Sequence, residues 1–528
     1  MTDRRLLWLA AAVLGAVYLP ILAAPFLWDD RSIIAFNAAW DRPIPLGAYL
    51  RPAYFAFSTE LTWRPAVSLS YEALMGLFGR VPAPWRAAGL ALHVLNGALL
   101  GLFLKRAKLP QSACLLAGAL FLAHPVHIET LQVVTFNEET FAALGLLLML
   151  LAHQARKPWL AAGGLGLALL SKETALMGLP LLALYDSCFA RKDGKAYGPP
   201  LVITAAYAWV RFSALPGPGG GLSVALPWTE RLFYAAEGLV TSALLLAAPI
   251  RLRIEYFALP PTAATGALWL AALLALLAGA VLLARRLWSE DRRLAFLLAW
   301  PFLFLAVTSN LLPTGVLSTR VLAERWLYIP FLGACALIAL PLSKRPRLAA
   351  ALIVFWGGLG VLRARDWASD EKLWSSLARV YPWSSKAHEG LGEAYFRDGR
   401  FPEALSSFQK AAAVRQRRQD LVLAHYVPLA PPGTIAWESA SLQRWLGLAT
   451  LETGDLAASR RHLEKAQGLQ PADRFTYRAL AYACARAGDF AAARRWAEQG
   501  LALDPADDFL LRLKADAAAR KLSFQARF

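Results

Sequence analysis

KRAKLPQSACLLAGALFLAHPVHIETLQVVTFNEETFAALGLLLMLLAHQARK, residues 105–157, runs from a basic end through an apolar stretch, a polar turn and a second apolar stretch to another basic end. A membrane crossing needs about 20 apolar residues, fewer inside a bundle. The apolar runs near 111–124 and 138–152 therefore read as two crossings packed against neighbours. Basic residues accumulate in cytoplasmic loops, so Lys105-Arg-Ala-Lys108 and Gln154-Ala-Arg-Lys157 are expected on the cytoplasmic side. The polar turn His124–Glu139 then faces the external side.

Outward from this pair the same alternation continues. Further apolar runs lie near 6–24, 87–104, 159–171, 173–187, 199–214, 265–284, 294–310, 326–342 and 347–362. Arg4-Arg5 places the N-terminus inside, and the first run is read as an uncleaved span because no clean small-residue cleavage site precedes Phe26. The run 231–249 is ambiguous. The cytoplasmic assignment of Arg285-Arg286 and Arg292-Arg293 requires an even number of crossings in 215–264. The Gly217-Pro-Gly-Gly-Gly221 run and Pro260-Pro261 bracket the ambiguous segment, which is read as interfacial or re-entrant. Eleven spans follow, with the N-terminus cytoplasmic and the C-terminus external.

Composition supports this class. The 528 residues are 57% hydrophobic with mean hydropathy +0.42, too apolar for a soluble globular chain. The net charge of +18 is placed largely in short loops between spans, so no nucleic-acid partner is inferred. Cys114, Cys188, Cys335 and Cys484 are widely separated and form no disulfide or metal pattern.

The topology collects the unusual polar residues on the external face. Phe26-Leu-Trp-Asp-Asp30 sets two carboxylates where a span ends. Asp29 and Asp30 read either as a helix cap or as chemistry, because charge beside hydrocarbon is costly. His124 and His127 with Glu129 could ligate a metal on a regular helix; Pro125 argues for hydrogen bonding at a helix end instead. Glu138 and Glu139 suit the first turn of a helix, or the binding of a polar substrate. Lys172, in Ser171-Lys-Glu173, would pair with Glu173 or meet an anionic lipid head. Arg320, Glu324 and Arg325 lie in a later external loop; Arg325 would hold a phosphate, or pair with Glu324 and position its span. The loop 25–86, rich in Trp and Pro, suits amphipathic helices at the interface.

From about Ser385 the pattern becomes that of tetratricopeptide repeats. Leu391-Gly392, Leu446-Gly447 and Ala481 share one frame, and Gly454 and Gly488 are 34 residues apart. Leu446 follows Leu391 by 55, so an insertion of about 21 residues containing Pro428–Pro432 separates the first two repeats. Such helix pairs stack into a concave surface that binds proteins or serves as a packing domain. The expected organisation is an all-α polytopic bundle at 1–362 with external loops 25–86 and 215–264, a linker at 363–384, and a soluble α-solenoid at 385–528.

His124-Pro-Val-His-Ile-Glu129, Phe136-Asn-Glu-Glu139, Leu170-Ser-Lys-Glu173 and Ala323-Glu-Arg-Trp-Leu-Tyr-Ile-Pro330 occur in one order before the repeats, together with Trp28-Asp-Asp30 and Arg365-Asp-Trp367. This ordered set resembles the transmembrane and tetratricopeptide-repeat O-mannosyltransferases and their bacterial relatives, within the GT-C superfamily of polytopic glycosyltransferases. The resemblance implies a sugar donor on a polyprenyl-phosphate carrier, used on the extracytoplasmic face of a bacterial inner membrane. It implies a catalytic base at Asp29 or Asp30, donor-phosphate contacts from Lys172, Arg325 and Arg320, and substrate contacts from Glu139, Glu138, His124, His127, Glu173 and Glu324. Many relatives have Gly-Arg where this chain has Phe136-Asn137 ahead of the acidic pair, which leaves the sugar open. With two cations to offset leaving-group charge the mechanism requires no metal or other cofactor. The acceptor would be a protein or glycan, held in one reading by the repeats. A membrane-anchored scaffold and a lipid-linked sugar transporter are the alternatives from other classes.

Overall fold

The structure, a computed structural model, describes residues 3–60, 62–189, 194–215, 226–259, 261–309, 311, 320–428 and 436–526. The runs Arg191–Asp193 and Gly217–Gly221, the residues Pro260 and Pro313, and most of the Pro428–Pro432 insertion lie outside these. The chain divides into two compact units, Met1–Ser369 and Asp370–Phe528.

The first unit is helical throughout its apolar runs. Its main helices are α1 (Asp3–Leu22), α2 (Pro65–Phe78), α3 (Pro82–Arg106), α4 (Gln111–Ala123), α5 (Glu138–Gln154), α6 (Pro158–Leu169) and α7 (Gly178–Phe189). They continue with α8 (Gly198–Trp209), α9 (Trp228–Ala247), α10 (Ala263–Glu290), α11 (Arg292–Thr308), α12 (Tyr328–Ser343) and α13 (Pro346–Asp366). Every one of the eleven expected spans coincides with a helix, and the ambiguous run is α9. Five stretches among the described residues are long and apolar enough to cross a membrane: Pro82–Arg106, Val134–Gln154, Ala263–Glu290, Glu324–Ser343 and Pro346–Asp366. A sixth results if Gln111–Ala123 and Pro125–Gln132, bent by 48°, form one span. The remaining expected spans are helices of 12 to 20 residues. In the most apolar window of α10 no residue is buried. An apolar helix of 28 residues in which only Gly266 is buried is stable in lipid and not in water. The chain is a membrane protein.

Packing inside the unit uses small residues. Gly145 of α5 and Gly164 of α6 face each other so closely that a Cβ on Gly145 would lie 2.6 Å from the Gly164 carbonyl oxygen. Association in lipid depends on such backbone approach, because the tails are as apolar as the side chains. The 25–86 loop is a packed structure: Phe26, Ile34, Trp40, Val67, Tyr71, Met75 and Trp85 form one core with Val134. A two-strand antiparallel ladder pairs Tyr256 with Leu322 and Phe257 with Arg320, tying the stretch after α9 to the stretch before α12.

The second unit is an α-solenoid. It begins with α14 (Asp370–Val380), inside the stretch expected as a linker; the amphipathic helix starts where the apolar composition ends. Three hairpins follow: α15 (Ser385–Arg397) with α16 (Phe401–Gln416), α17 (Ala440–Glu452) with α18 (Leu456–Leu469), and α19 (Arg474–Arg486) with α20 (Phe490–Leu503); α21 (Asp508–Ala519) closes the array. Gly399, Gly454 and Gly488 take φ of +73°, +94° and +77° at the same turn of successive repeats, a conformation that favours glycine. The ion pairs Arg444–Asp473 and Arg478–Asp507 recur one 34-residue period apart. Each aspartate also caps the next helix, accepting from Phe475 N at 3.1 Å and from Leu510 N at 3.1 Å. Asp507→Ala is therefore expected to cost about 1–2 kcal/mol, a lost cap plus a partly exposed ion pair. Hydrogen exchange of α21 amides in wild type and variant measures it.

Candidate active site

The sequence-singled residues are drawn together by one segment, 129–139, between α4 and α5. Val133 is extended, a single 3-10 turn covers Val134–Asn137, and Glu138 opens α5. The free backbone N–H groups of that turn need acceptors. Asp30 supplies them from the first loop: its Oδ1 accepts from Thr135 N at 2.8 Å and its Oδ2 from Val134 N at 3.0 Å. Asp30 is 0% exposed. Burial pushes its carboxyl up to about 6, against the opposing effects of the Arg86 charge and the two amides.

Asp29 is half-buried, adjacent to this anchor. Trp28 before it has φ +50°, unusual for a bulky side chain. Its indole stacks on Trp367 at 5.9 Å and an interplanar angle of 19°. The Trp28-Asp-Asp30 turn is thus held at one end by Trp367 and at the other by Asp30, and strain at such a turn is a mark of functional sites. Arg86 fixes the entry to the loop by donating to the carbonyls of Ala24 and Pro25, and to Gln132 O at 3.1 Å.

The other end of the segment gathers charge. Lys172, 6% exposed at its side chain, donates to Glu138 Oε1 at 3.0 Å and also pairs with Glu139. Glu173 is not its partner, as the sequence reading allowed; that carboxylate meets Arg64 Nη2 at 3.4 Å, and Arg64 also pairs with Glu138. The reason is direction: Lys172 is extended ahead of the turn at Glu173, so neighbouring side chains diverge. Burial brings the Lys172 ammonium down to about 8, with the Glu139 charge opposing. Burial likewise pushes Glu60 up to about 7, with the Arg64 charge opposing; Tyr54 donates to it at 2.7 Å.

Arg325 completes the ring. Its backbone N–H donates to Glu129 Oε2 at 2.9 Å, its guanidinium pairs with the same carboxylate, and it lies 4.0 Å from the centre of the Phe136 ring. Glu324 faces elsewhere, to Arg363 at 3.0 Å. Arg320 pairs with Glu255 at 3.2 Å across the two-strand ladder, outside the ring of groups on 129–139. His124 and His127 are buried among aromatic rings, their own ring centres 6.0 Å apart. His124 Nδ1 accepts from Val126 N at 3.3 Å, the helix-end role. Among the described residues no cluster of three His, Cys, Asp or Glu side chains has metal-binding geometry.

Several buried polar atoms of this segment and of His127 just before it have no protein partner: both ring nitrogens of His127, Thr130 Oγ1, Gln132 Oε1 and Asn137 Oδ1. Buried polar atoms are normally paired, and orphans cluster where water or ligand completes the set. A cavity of about 10 Å³, the size that holds one water, lies beside the segment, lined by Glu139, Lys172, Thr174, Thr308 and Trp326. An apolar groove of about 430 Å³ borders it on the other side, lined by Tyr71, Leu74, Leu92, Leu95, Val134 and Phe141.

Sequence reading missed Arg64, Glu60 and Arg363. A proline-flanked loop arginine and a helix-end arginine look like ordinary anchors until their partners are seen. Arg86 carried a readable signal, a lone cation early in an apolar helix.

Two groups titrating at the site's edges set a pH window. Asp30 is ionised, and able to accept both amides, above about pH 6. Lys172 keeps its charge below about pH 8. Activity of this site is expected to be bell-shaped with limbs near these values, and Asp30→Asn is expected to remove the acidic one. The linkage for Asp30 has the opposite sign: its raised folded value favours the fold fully below the unfolded carboxyl value and loses that contribution as pH rises through 6. A pH–rate profile alongside a pH–stability profile separates the two.

No family model matches the chain. It is similar to proteins named protein O-mannosyl-transferases: 30% identical to Tmtc2 of Drosophila melanogaster over 40% of this chain and 25% of that one. Against TMTC4 of Homo sapiens the identity is 26%, over 73% of this chain and 63% of that one. Against TMTC2 of Homo sapiens it is 34%, over 19% and 14%. The chain spans about a quarter of the length of the first relatives it matches. It is a protein like these transferases, with a membrane unit and tetratricopeptide repeats.

Proposed function

We propose that the membrane unit is an inverting glycosyltransferase that moves a sugar from a polyprenyl-phosphate carrier to an acceptor hydroxyl on the extracytoplasmic face, the membrane being a bacterial inner membrane. The observation that carries this is the gathering of an acidic loop, Trp28-Asp-Asp30, and two basic side chains, Lys172 and Arg325, on the single segment 129–139. The similarity to named O-mannosyltransferases supports the reaction class.

Each carboxylate oxygen of Asp30 accepts from one backbone amide, and Asp30 acts as a positioning residue. Asp29, on the same turn and half-buried, is the base. It takes the proton from the acceptor hydroxyl as that oxygen attacks the anomeric carbon; the bond to the carrier phosphate breaks on the opposite face. The phosphate leaves with the bonding electron pair. Arg325 and Lys172 offset its growing charge, each already oriented by a glutamate. Glu138 and Glu139 hold Lys172, and with Glu173 are placed to accept from sugar hydroxyls. The apolar groove at Val134 suits the carrier's chain. Arg320, Glu324, His124 and His127 support the walls. The chemistry proposed needs no metal. The acceptor is a protein segment or a glycan.

The test is incubation of membranes containing this chain with polyprenyl phosphates carrying labelled mannose, glucose or N-acetylglucosamine. Consumption of one donor with inversion at the anomeric carbon is expected. No consumption of any donor, with an envelope protein still captured by the full chain, would favour the scaffold.

A further inference from the structure

Beyond the Arg64–Glu138 pair lies a second group of buried polar atoms with no protein partner: Arg64 Nε, Glu173 Oε1, Tyr207 Oη and Arg211 Nε. Arg64 precedes α2, and Glu173 opens the turn Glu173–Met177 before α7. Tyr207 belongs to α8, and Arg211 lies in the π-helical turn Val210–Ala214 that prolongs it. Four residues apart on a helical stretch, Tyr207 and Arg211 share one face. Tyr207 is close enough to Glu173, Arg211 and Arg64 to feel all three charges, and Glu173 feels both arginines.

Each unpartnered atom belongs to a side chain that is otherwise held. The terminal nitrogens of Arg64 pair with Glu138 and Glu173, and Glu173 answers through Oε2, at 3.4 Å. Arg211 Nη1 donates to Leu215 O at 3.4 Å. Tyr207 is 5% exposed, and its ring stacks on Trp63 with centres 5.9 Å apart and an interplanar angle of 25°. The Trp63 indole N–H is fixed in turn on Tyr49 O at 2.7 Å. Packing therefore sets the direction of the Tyr207 hydroxyl. The Arg64 and Glu173 side chains are 19% and 26% exposed, so the group opens to the outside there.

The unmatched set is one carboxylate oxygen that only accepts, two guanidinium N–H groups that only donate, and one hydroxyl that does either. An apolar ligand would leave all four unpaired. An anion would meet Glu173, and a cation would meet two guanidiniums. A neutral group with two adjacent hydroxyls matches, since each hydroxyl both donates and accepts.

We propose that Arg64, Glu173, Tyr207 and Arg211 form the subsite that reads two neighbouring hydroxyls of the transferred sugar, and so set which sugar is taken. One hydroxyl bridges Glu173 and Arg64, and its neighbour bridges Tyr207 and Arg211. The inference rests on the transferase reading above, in which Lys172 faces the carrier phosphate. Glu173 is the next residue, and adjacent side chains diverge, so its group lies to the side of the phosphate where the sugar ring extends.

The probes are the intact polyprenyl-phosphate sugar that wild-type membranes consume and analogues of it that each lack one hydroxyl. Wild type is expected to lose about tenfold or more in kcat/KM with the analogues lacking the contacted hydroxyls, because the subsite is then left unpaired. Tyr207→Phe keeps the ring on Trp63. With the intact donor it is expected to raise KM about tenfold, with kcat within about twofold. With one of the sensitive analogues it is expected to lose almost nothing further, and Arg211→Gln is expected to show the same insensitivity. Thermal unfolding of Tyr207→Phe in detergent is expected to be unchanged or raised, since the hydroxyl removed has no protein partner. The same analogue losses in wild type and Tyr207→Phe would overturn the inference. So would a fall in thermal stability with sugar discrimination intact, which would make the group a buried hydration site. Transfer by wild type leaves the glycosyltransferase reading standing in both cases. No consumption of any intact donor would overturn that reading, and this inference with it.

Discussion

Lys172→Met is expected to lower transfer at least a hundredfold and to destabilise the membrane unit by about 3–5 kcal/mol. Both effects come from one geometry. Lys172 is buried between Glu138 and Glu139, and deleting it leaves Glu138 with Arg64 alone and strands the Glu139 carboxylate in a low-dielectric site. Breaking a buried pair by removing one partner costs about this much, because the charge left behind cannot be hydrated. The kinetic loss has a separate origin, the missing cation beside the departing phosphate. The double variant Lys172→Met with Glu139→Gln separates them: thermal stability in detergent should recover while transfer stays low. Recovery of transfer in the double variant would mean that Lys172 serves the fold alone.

Arg363→Met is expected to be the most damaging single change outside the site, at about 3–5 kcal/mol, seen as a fall of several degrees in thermal unfolding. Arg363 and Glu324 are 3% and 0% exposed at their side chains. The guanidinium also donates to Arg253 O at 2.7 Å, and Glu324 accepts from Arg253 N at 2.7 Å and from the Tyr256 hydroxyl at 3.0 Å. One ion pair therefore joins α13, the stretch after α9, and the Glu324–Leu327 turn before α12. Replacing both partners, Arg363→Met with Glu324→Gln, should recover much of the loss, because Gln leaves no stranded charge and its Oε1 still accepts from Arg253 N and the Tyr256 hydroxyl. A loss below about 1 kcal/mol would show water reaching the pair.

These pairings mark where the sequence was readable. Apolar runs, basic punctuation and the 34-residue frame are local signals, and every expected span and repeat coincides with a helix. The polar residues of the site were also legible one by one, since charge beside hydrocarbon stands out. Their partners were not. Sequence proximity favoured Lys172 with Glu173 and Arg325 with Glu324. The fold instead pairs Lys172 with residues 33 and 34 positions earlier and Arg325 with one 196 positions earlier. Adjacent side chains point apart, so neighbours in sequence are poor candidates for one another. The same limit left Asp29 and Asp30 indistinguishable until the two amides of 134–135 were seen on Asp30. The segment 129–139 is short, carries no long periodic pattern, and shows its role as a hub through contacts with distant loops.

The division of labour between the two aspartates is the central claim. It is tested most directly by transfer from labelled polyprenyl-phosphate sugar in membranes carrying wild type, Asp29→Asn or Asp30→Asn at matched abundance. Asp29→Asn should lower transfer by at least a hundredfold, the loss of a general base. Asp30→Asn should lower transfer less, lose the acidic limb of the pH profile and loosen the 134–137 turn. Full activity in Asp29→Asn, or a larger loss in Asp30→Asn with its stability intact, would contradict the account.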